Sequence, residues 1–94
     1  MAKVVFHQKI VKENGDVLEM RILQVPPDRA HPEGVRYSLV YIRNQKRLLG
    51  YDNFEGKGHH KHLQGKEMPY KFKNVTQLVK DFKKDLHALT RETK

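Results

Sequence analysis

Three histidines within four consecutive positions are the part of this sequence best suited to chemistry. They lie in the segment Gly56-Lys57-Gly58-His59-His60-Lys61-His62, and Asp52-Asn53 leads into it. Histidine, lysine and glycine are poor material for a hydrophobic core or for a helix. The composition is typical of a polar, titratable loop, and we expect the rest of the chain to be the scaffold that holds it.

His60 and His62 are two positions apart, so an extended backbone would project both imidazoles from the same face. Imidazoles titrate near neutral pH, and a pair of them suits general acid–base catalysis. One imidazole would deprotonate the 2′-hydroxyl of RNA and the other would protonate the leaving oxygen, without a metal or other cofactor. Lys57 would stabilise the charge that develops on the phosphate, and Asp52 would orient an imidazole. The predicted catalytic residues are therefore His60, His62, Lys57 and Asp52.

The same side chains allow two other interpretations. His60, His62 and Asp52 would supply nitrogen and oxygen ligands to a metal ion and leave one position open, as in catalytic zinc sites. Lys57 and Lys61 would place positive charge beside such a cation, which counts against it. The other alternative is a non-catalytic module that binds nucleic acid or protein. The chain has no cysteine, which excludes disulfides, thiolate metal sites and a cysteine nucleophile.

The balance of charge predicts an anionic partner. Nineteen lysines and arginines against eleven acidic residues give a net charge of +8, which favours RNA or another nucleic acid, although a merely soluble basic surface is the alternative. The residues predicted to contact nucleic acid are Arg47, Tyr51, Asn53, Lys61 and Tyr70. No segment approaches the roughly 20 apolar residues of a membrane span, and the first residues lack the apolar run of a signal peptide. We therefore expect a cytoplasmic protein without membrane contacts.

Alternating apolar and polar residues predict four strands. The strands run over Lys3–Lys12, Asp16–Val25, Val35–Arg43 and Arg47 to about Asn53. Asn14-Gly15 is a hairpin signal between the first two strands, and Pro26-Pro27 ends the second one, because proline cannot donate a ladder hydrogen bond. The fourth strand leads directly into the histidine loop, and a short extended piece, Met68–Phe72, follows the loop.

A C-terminal amphipathic helix is predicted from Asn74, a good N-cap with Gln77 three residues later. The helix has one apolar stripe, which consists of Val75, Leu78, Val79, Phe82, Leu86 and Leu89. The expected architecture is α+β: a twisted antiparallel sheet of four to five strands with one C-terminal helix packed on it, and residues 1–94 as a single domain. Pairing of sheet edges into a homodimer is compatible with such an open sheet.

Four pieces of the chain together resemble one protein family. The pieces are Val40-Tyr41, Leu49-Gly50-Tyr51-Asp52-Asn53, the histidine segment, and Pro69-Tyr70-x-Phe72 before the amphipathic helix. They are similar to the TumE family, whose members are small toxins of type II toxin–antitoxin systems. The resemblance implies a cytoplasmic growth inhibitor that is neutralised by a helix-turn-helix antitoxin. The residues themselves add the expectation of a metal-independent ribonuclease similar to an mRNA interferase.

Overall fold

One antiparallel sheet and one helix make up the fold. The computed structural model describes residues 3–29, 31–53 and 58–92, except for the side chains of residues 91 and 92. The strands neighbour one another in chain order. They are β1 (Lys3–Val11), β2 (Val17–Gln24), β3 (Val35–Arg43), β4 (Lys46–Asp52), β5 (His60–Leu63) and β6 (Lys66–Pro69), and the helix is α1 (Val75–Glu92).

The predicted α+β architecture is confirmed, but the expectation of four to five strands is wrong because the sheet has six. The additional pairing comes from β5, which lies within the segment expected to be a loop, and from β6. Both strands have only four residues and are mostly polar, so they give no alternating pattern long enough to recognise. A two-residue turn joins them, in which Gln64 and Gly65 both have positive φ, at 48° and 88°, as a hairpin of this type requires.

The hairpin predicted at Asn14-Gly15 is present. Gly15 has a φ of 93°, and its N–H donates to the carbonyl of Lys12 over 2.9 Å. The side chain of Asn14 accepts a hydrogen bond from the backbone N–H of Asp16 over 2.9 Å. A short turn of this kind keeps β1 and β2 adjacent in the sheet.

The core lies between α1 and one face of the sheet, which we call the helix face; the opposite face is the open face. The buried apolar residues are Met20, Ile22, Tyr37, Leu39, Tyr41, Leu49, Tyr51, Leu78, Phe82 and Leu89. On β2, β3 and β4 these residues alternate with residues of the open face, as the period of two predicted. The three residues from α1 belong to the predicted apolar stripe.

The predicted N-cap of α1 is also confirmed. The Asn74 side chain accepts a hydrogen bond from the backbone N–H of Gln77 over 2.8 Å. The side chain of Gln77 does not return this bond but donates to Asp81 over 2.8 Å. Within the described residues, no helix combines the length and the apolar character needed to cross a membrane.

Candidate functional site

Strand register brings four ionisable side chains together on the open face. Asp52 on β4 lies opposite His60 on β5, and Gly50 lies opposite His62. His62 in turn lies opposite Glu67 on β6. Side chains alternate between the faces of a sheet, and the neighbours of Asp52 and Gly50 in β4 point into the core. We call Asp52, His60, His62 and Glu67 the open-face cluster.

The two imidazoles of the cluster direct their Nε2 atoms towards the two carboxylates. Nε2 of His60 lies 3.0 Å from Oδ1 of Asp52, and Nε2 of His62 lies 4.0 Å from Oδ2. Glu67 Oε2 lies 3.6 Å from the first nitrogen and 3.5 Å from the second. The ring centroids are 5.0 Å apart. Asp52 and His60 are buried, whereas 45% of the Glu67 side chain is exposed, so solvent reaches the cluster from the β6 side.

The backbone fixes the orientation of His60. Its Nδ1 lies 3.2 Å from the carbonyl oxygen of Gly58, and a carbonyl only accepts hydrogen bonds, so Nδ1 carries a proton. A histidine that binds a metal has the same arrangement: one ring nitrogen donates to a carbonyl and the other is directed at the ion. Asp52, His60 and His62 each offer one ligand atom, and these three atoms lie within 4.8 Å of one another. The cluster therefore has the donor set and the spacing of a metal site.

Arg47 supplies a positive charge next to the cluster. Its Nη1 atom lies 4.0 Å from Oδ2 of Asp52. Gly50 leaves room for the arginine, because a Cβ atom at Gly50 would lie 2.8 Å from Cδ of Arg47. Burial lowers the pKa of His62, and the positive charge of Arg47 lowers it further against the opposing effect of the carboxylates. His62 is therefore neutral at neutral pH and available to accept a proton or bind a cation.

Three of the predicted nucleic-acid contacts lie on the helix face instead. Nζ of Lys61 lies 3.1 Å from Oδ2 of Asp85 in α1 and 5.5 Å from the centroid of the Tyr51 ring. Tyr51 is buried and its hydroxyl donates to the same carboxylate. The hydroxyl of Tyr70 donates to Asp81 over 2.5 Å. These three residues hold α1 on the sheet.

Asn53, also predicted to contact nucleic acid, is buried. Its Oδ1 accepts a hydrogen bond from the backbone N–H of Tyr37 over 2.9 Å, and its Nδ2 donates to the carbonyl of Val35 over 2.7 Å. Both ends of the amide are thus bound to β3. Lys57, the fourth predicted catalytic residue, lies outside the described residues. Of the predicted site residues, the structure brings together His60, His62, Asp52 and Arg47.

The third histidine of the segment, His59, makes contacts that stabilise the fold. Its ring stacks on Phe72, with 4.6 Å between centroids and 5° between the planes. Its Nδ1 lies 2.9 Å from the hydroxyl of Tyr37, and its Nε2 lies 3.1 Å from Oε1 of Glu33. His59 therefore connects the segment before β5 to β3 and to the chain after β6.

Sequence reasoning missed Glu67. With the histidine segment read as a loop, nothing related Glu67 to His62. The turn at Gln64-Gly65 contains the missing information, because a two-residue turn sets the register of the strands on both sides. In that register His62 pairs with Glu67. The hairpin signal is weak, since glutamine is not one of the residues that favour positive φ.

Comparison with known families gives the identity of the chain. No curated protein and no solved structure matches it. The model of the family described as "Toxin TumE" matches residues 2–90. That span contains every residue of the open-face cluster and all six strands, so the match covers the whole sheet. The chain therefore belongs to the TumE toxin family.

Proposed function

We propose that this toxin cleaves RNA at the open-face cluster with the help of one divalent cation. The observation that carries the proposal is the convergence of both histidine Nε2 atoms on oxygens of Asp52 and Glu67, over distances of 3.0 to 4.0 Å. Membership of the TumE family implies the toxin of a toxin–antitoxin system and hence an antitoxin partner. The net charge of +8 supports an anionic substrate.

Electrostatics favours a cation over metal-free catalysis. Two carboxylates lie beside the imidazoles, and Arg47 supplies one positive charge. With both imidazoles in the neutral form that binds a metal, the site has a net negative charge. Such a site repels a phosphate, whereas a bound divalent cation makes it positive. Lys61, which was predicted to contact nucleic acid, pairs with Asp85 on the helix face and adds no positive charge to the cluster. Imidazole and carboxylate together suit zinc, manganese and similar divalent ions.

The bound cation would act as a Lewis acid on a phosphate oxygen and lower the pKa of a coordinated water. His60, His62 and Asp52 would hold it, and Glu67, at the exposed side, would complete the site. Arg47 would contact a second phosphate oxygen from beside Asp52. The Gly58 carbonyl keeps the proton of His60 on Nδ1, so Nε2 stays free for the ion.

Metal-free acid–base catalysis is the second candidate. The lowered pKa of His62 suits a general base, and both nitrogens of His60 face oxygens, of Asp52 and Gly58, which a doubly protonated ring satisfies. An imidazole that accepts a proton beside one that donates from both nitrogens is an arrangement suited to a base and an acid. This is the mechanism that the sequence alone predicted.

One experiment tests both candidates. Purified protein is incubated with a defined single-stranded RNA, with and without EDTA, and Zn²⁺ or Mn²⁺ is then added back. We expect cleavage that EDTA abolishes and one of these ions restores. His60→Ala and His62→Ala should each lower the rate at least about 100-fold. His87→Ala, an exposed histidine of α1, is the matched control and should cleave like the wild type.

The outcomes separate the candidates. Cleavage that survives EDTA but is lost in His60→Ala identifies the metal-free mechanism. Intact RNA under every condition refutes RNA cleavage altogether. Glu67→Gln tests the residue that the sequence did not reveal. If Glu67 binds the cation, the variant should need about 10- to 100-fold more metal for half-maximal activity.

The partner and the site of action complete the proposal. We propose that the antitoxin is a helix-turn-helix protein encoded beside the toxin gene, as the sequence resemblance implies, and that the toxin acts in the cytoplasm, where RNA is accessible. A neighbouring reading frame without a helix-turn-helix pattern, whose product still neutralises the toxin, would contradict the assignment of the partner.

A further inference from the structure

A groove on the helix face separates β1 from the first half of α1. Its volume is about 480 Å³. Its apolar walls are formed by Val5, Phe6, Met20, Ile22, Val75 and Val79. Thr76, Lys80 and Lys83 of α1 also line it, and no acidic residue does so in the described part of the chain. We call this surface the β1–α1 groove.

The groove exists because one helix is too narrow for the sheet. Strands lie about 4.8 Å apart, so six of them span about 24 Å, whereas a helix with its side chains is about 10 Å wide. The helix packs against β4, which leaves the β1 side of the sheet uncovered. The uncovered strip is β1, all nine residues of which are exposed, whereas Met20 and Ile22 of β2 are buried at the bottom of the groove.

Residues of β1 make the uncovered strip apolar. A β-bulge shifts the register between Val4 and Phe6, and both Val5 and Phe6 line the groove. Val5, Phe6 and Ile10 remain 57%, 40% and 39% exposed. An edge strand normally avoids such side chains, because they promote unwanted association. Contiguous exposed apolar residues of this kind are typical of an interaction surface.

We propose that the β1–α1 groove binds an amphipathic helix of the antitoxin, which lies beside α1 and covers β1. Its apolar side would contact Phe6 and Val5, and acidic residues on its flank would face Lys80 and Lys83. This inference rests on the antitoxin partner and not on RNA cleavage. The occupant completes a two-helix layer on the sheet, at the usual distance of 8–10 Å between packed helices.

Charge favours an acidic partner over a second copy of this chain. Two copies would each bring a net charge of +8 to the contact. A second copy that placed its own α1 in the groove would bring Lys80, Lys83 and Lys84 against Lys80 and Lys83 of the first. Like charges placed against each other across an interface cost several kcal/mol. The contact of an acidic helix with the same lysines is favourable.

The test uses the full chain and the tagged product of the adjacent antitoxin gene. Binding is measured by calorimetry for the wild type and for Phe6→Asp, and the mass of the toxin alone is measured by light scattering. Val11→Asp is the matched control: Val11 is in the same strand and 65% exposed, but it pairs with Val17 on the open face. A second variant, Lys80→Glu with Lys83→Glu, leaves the apolar wall intact.

We expect Phe6→Asp to raise the Kd at least about 30-fold. The double lysine variant should raise it about 10-fold at low salt and less at high salt, and Val11→Asp should change it less than about 3-fold. Cells that express Phe6→Asp should stay growth-inhibited in the presence of the antitoxin. Wild-type affinity in both groove variants would overturn the proposal. So would a wild-type dimer that Phe6→Asp dissociates without loss of antitoxin binding, because a second copy would then fill the groove.

Discussion

Replacement of Asn53 by alanine separates a structural role from a role in nucleic-acid binding. The sequence predicted that Asn53 contacts nucleic acid, whereas its side chain is buried against β3 and only 1% exposed. Alanine removes the acceptor for the N–H of Tyr37 and the donor for the carbonyl of Val35. Neither backbone group is at an exposed edge of the sheet, so water does not readily replace the amide.

The loss of stability follows from these two hydrogen bonds. A buried donor left without a partner costs about 1–3 kcal/mol, and an ordinary hydrogen bond contributes about 0.5–1.5 kcal/mol. Together they predict that Asn53→Ala lowers the free energy of unfolding by about 3 kcal/mol. Small domains have urea m-values of about 1–3 kcal/mol/M, so the urea midpoint should fall by about 1.5 M. Asn53→Asp should cost at least as much, because it places a carboxylate oxygen against the Val35 carbonyl.

Urea unfolding followed by circular dichroism measures this loss, and RNA binding is measured on the same samples where they are fully folded. Gln8→Ala removes an exposed amide from β1 and is the control, with an expected change below about 0.5 kcal/mol. Folded Asn53→Ala should bind RNA within about 2-fold of the wild type. An unchanged urea midpoint together with weaker RNA binding would show that the side chain contacts nucleic acid and that the structural argument fails.

Two further predictions concern other buried contacts. His59→Ala removes the ring stacked on Phe72 and should lower the free energy of unfolding by about 1–2 kcal/mol. His59→Phe keeps the stacked ring and should lose about half as much. Equal losses for the two variants in thermal unfolding would contradict the role of stacking. Arg43 and Tyr41 hold the pKa of Asp16 at about 2, below the value of 3.8 for an isolated aspartate. Because the folded-state pKa is the lower one, this stabilisation is complete above about pH 4 and disappears as the pH falls towards 2. The free energy of unfolding of Asp16→Asn should therefore fall less than that of the wild type between about pH 4 and pH 2. Equal falls in both proteins would exclude a contribution of the Asp16 carboxylate to stability.

Long periodic elements were predictable from the sequence because burial on one face leaves a readable pattern. The bounds predicted for the third strand, Val35–Arg43, are those of β3. The stripe of α1 supplies Leu78, Phe82 and Leu89 to the core. In both cases apolar residues repeat with the period of the element, since each has one side against the core and the other towards solvent.

The site was only partly predictable because it is formed by pairing between short polar strands. The spacing of His60 and His62 correctly predicted a shared face, since alternation depends only on local extension. The position of Glu67 depends on a turn with weak sequence signals. The same alternation places Lys61 on the opposite face, but its ion pair with Asp85, 24 residues later, follows from no local pattern. The position of Lys61 beside two histidines therefore predicted a phosphate contact, although its partner is the Asp85 carboxylate of α1.

The proposed site of RNA cleavage and the proposed antitoxin groove lie on opposite faces of the sheet. Alternation along β4 and β5 places the carboxylate and the imidazoles on the open face and the residues that hold α1 on the helix face. The β1–α1 groove lies on the helix face at the β1 edge, three strands away from β4. An antitoxin helix in that groove would not by itself cover the cluster, so another part of the antitoxin must reach around the sheet edge to block the open face. The anchoring contact and the inhibiting contact are then separate. Loss of the groove should abolish neutralisation without reducing toxicity, whereas loss of the cluster should abolish toxicity and leave the complex intact.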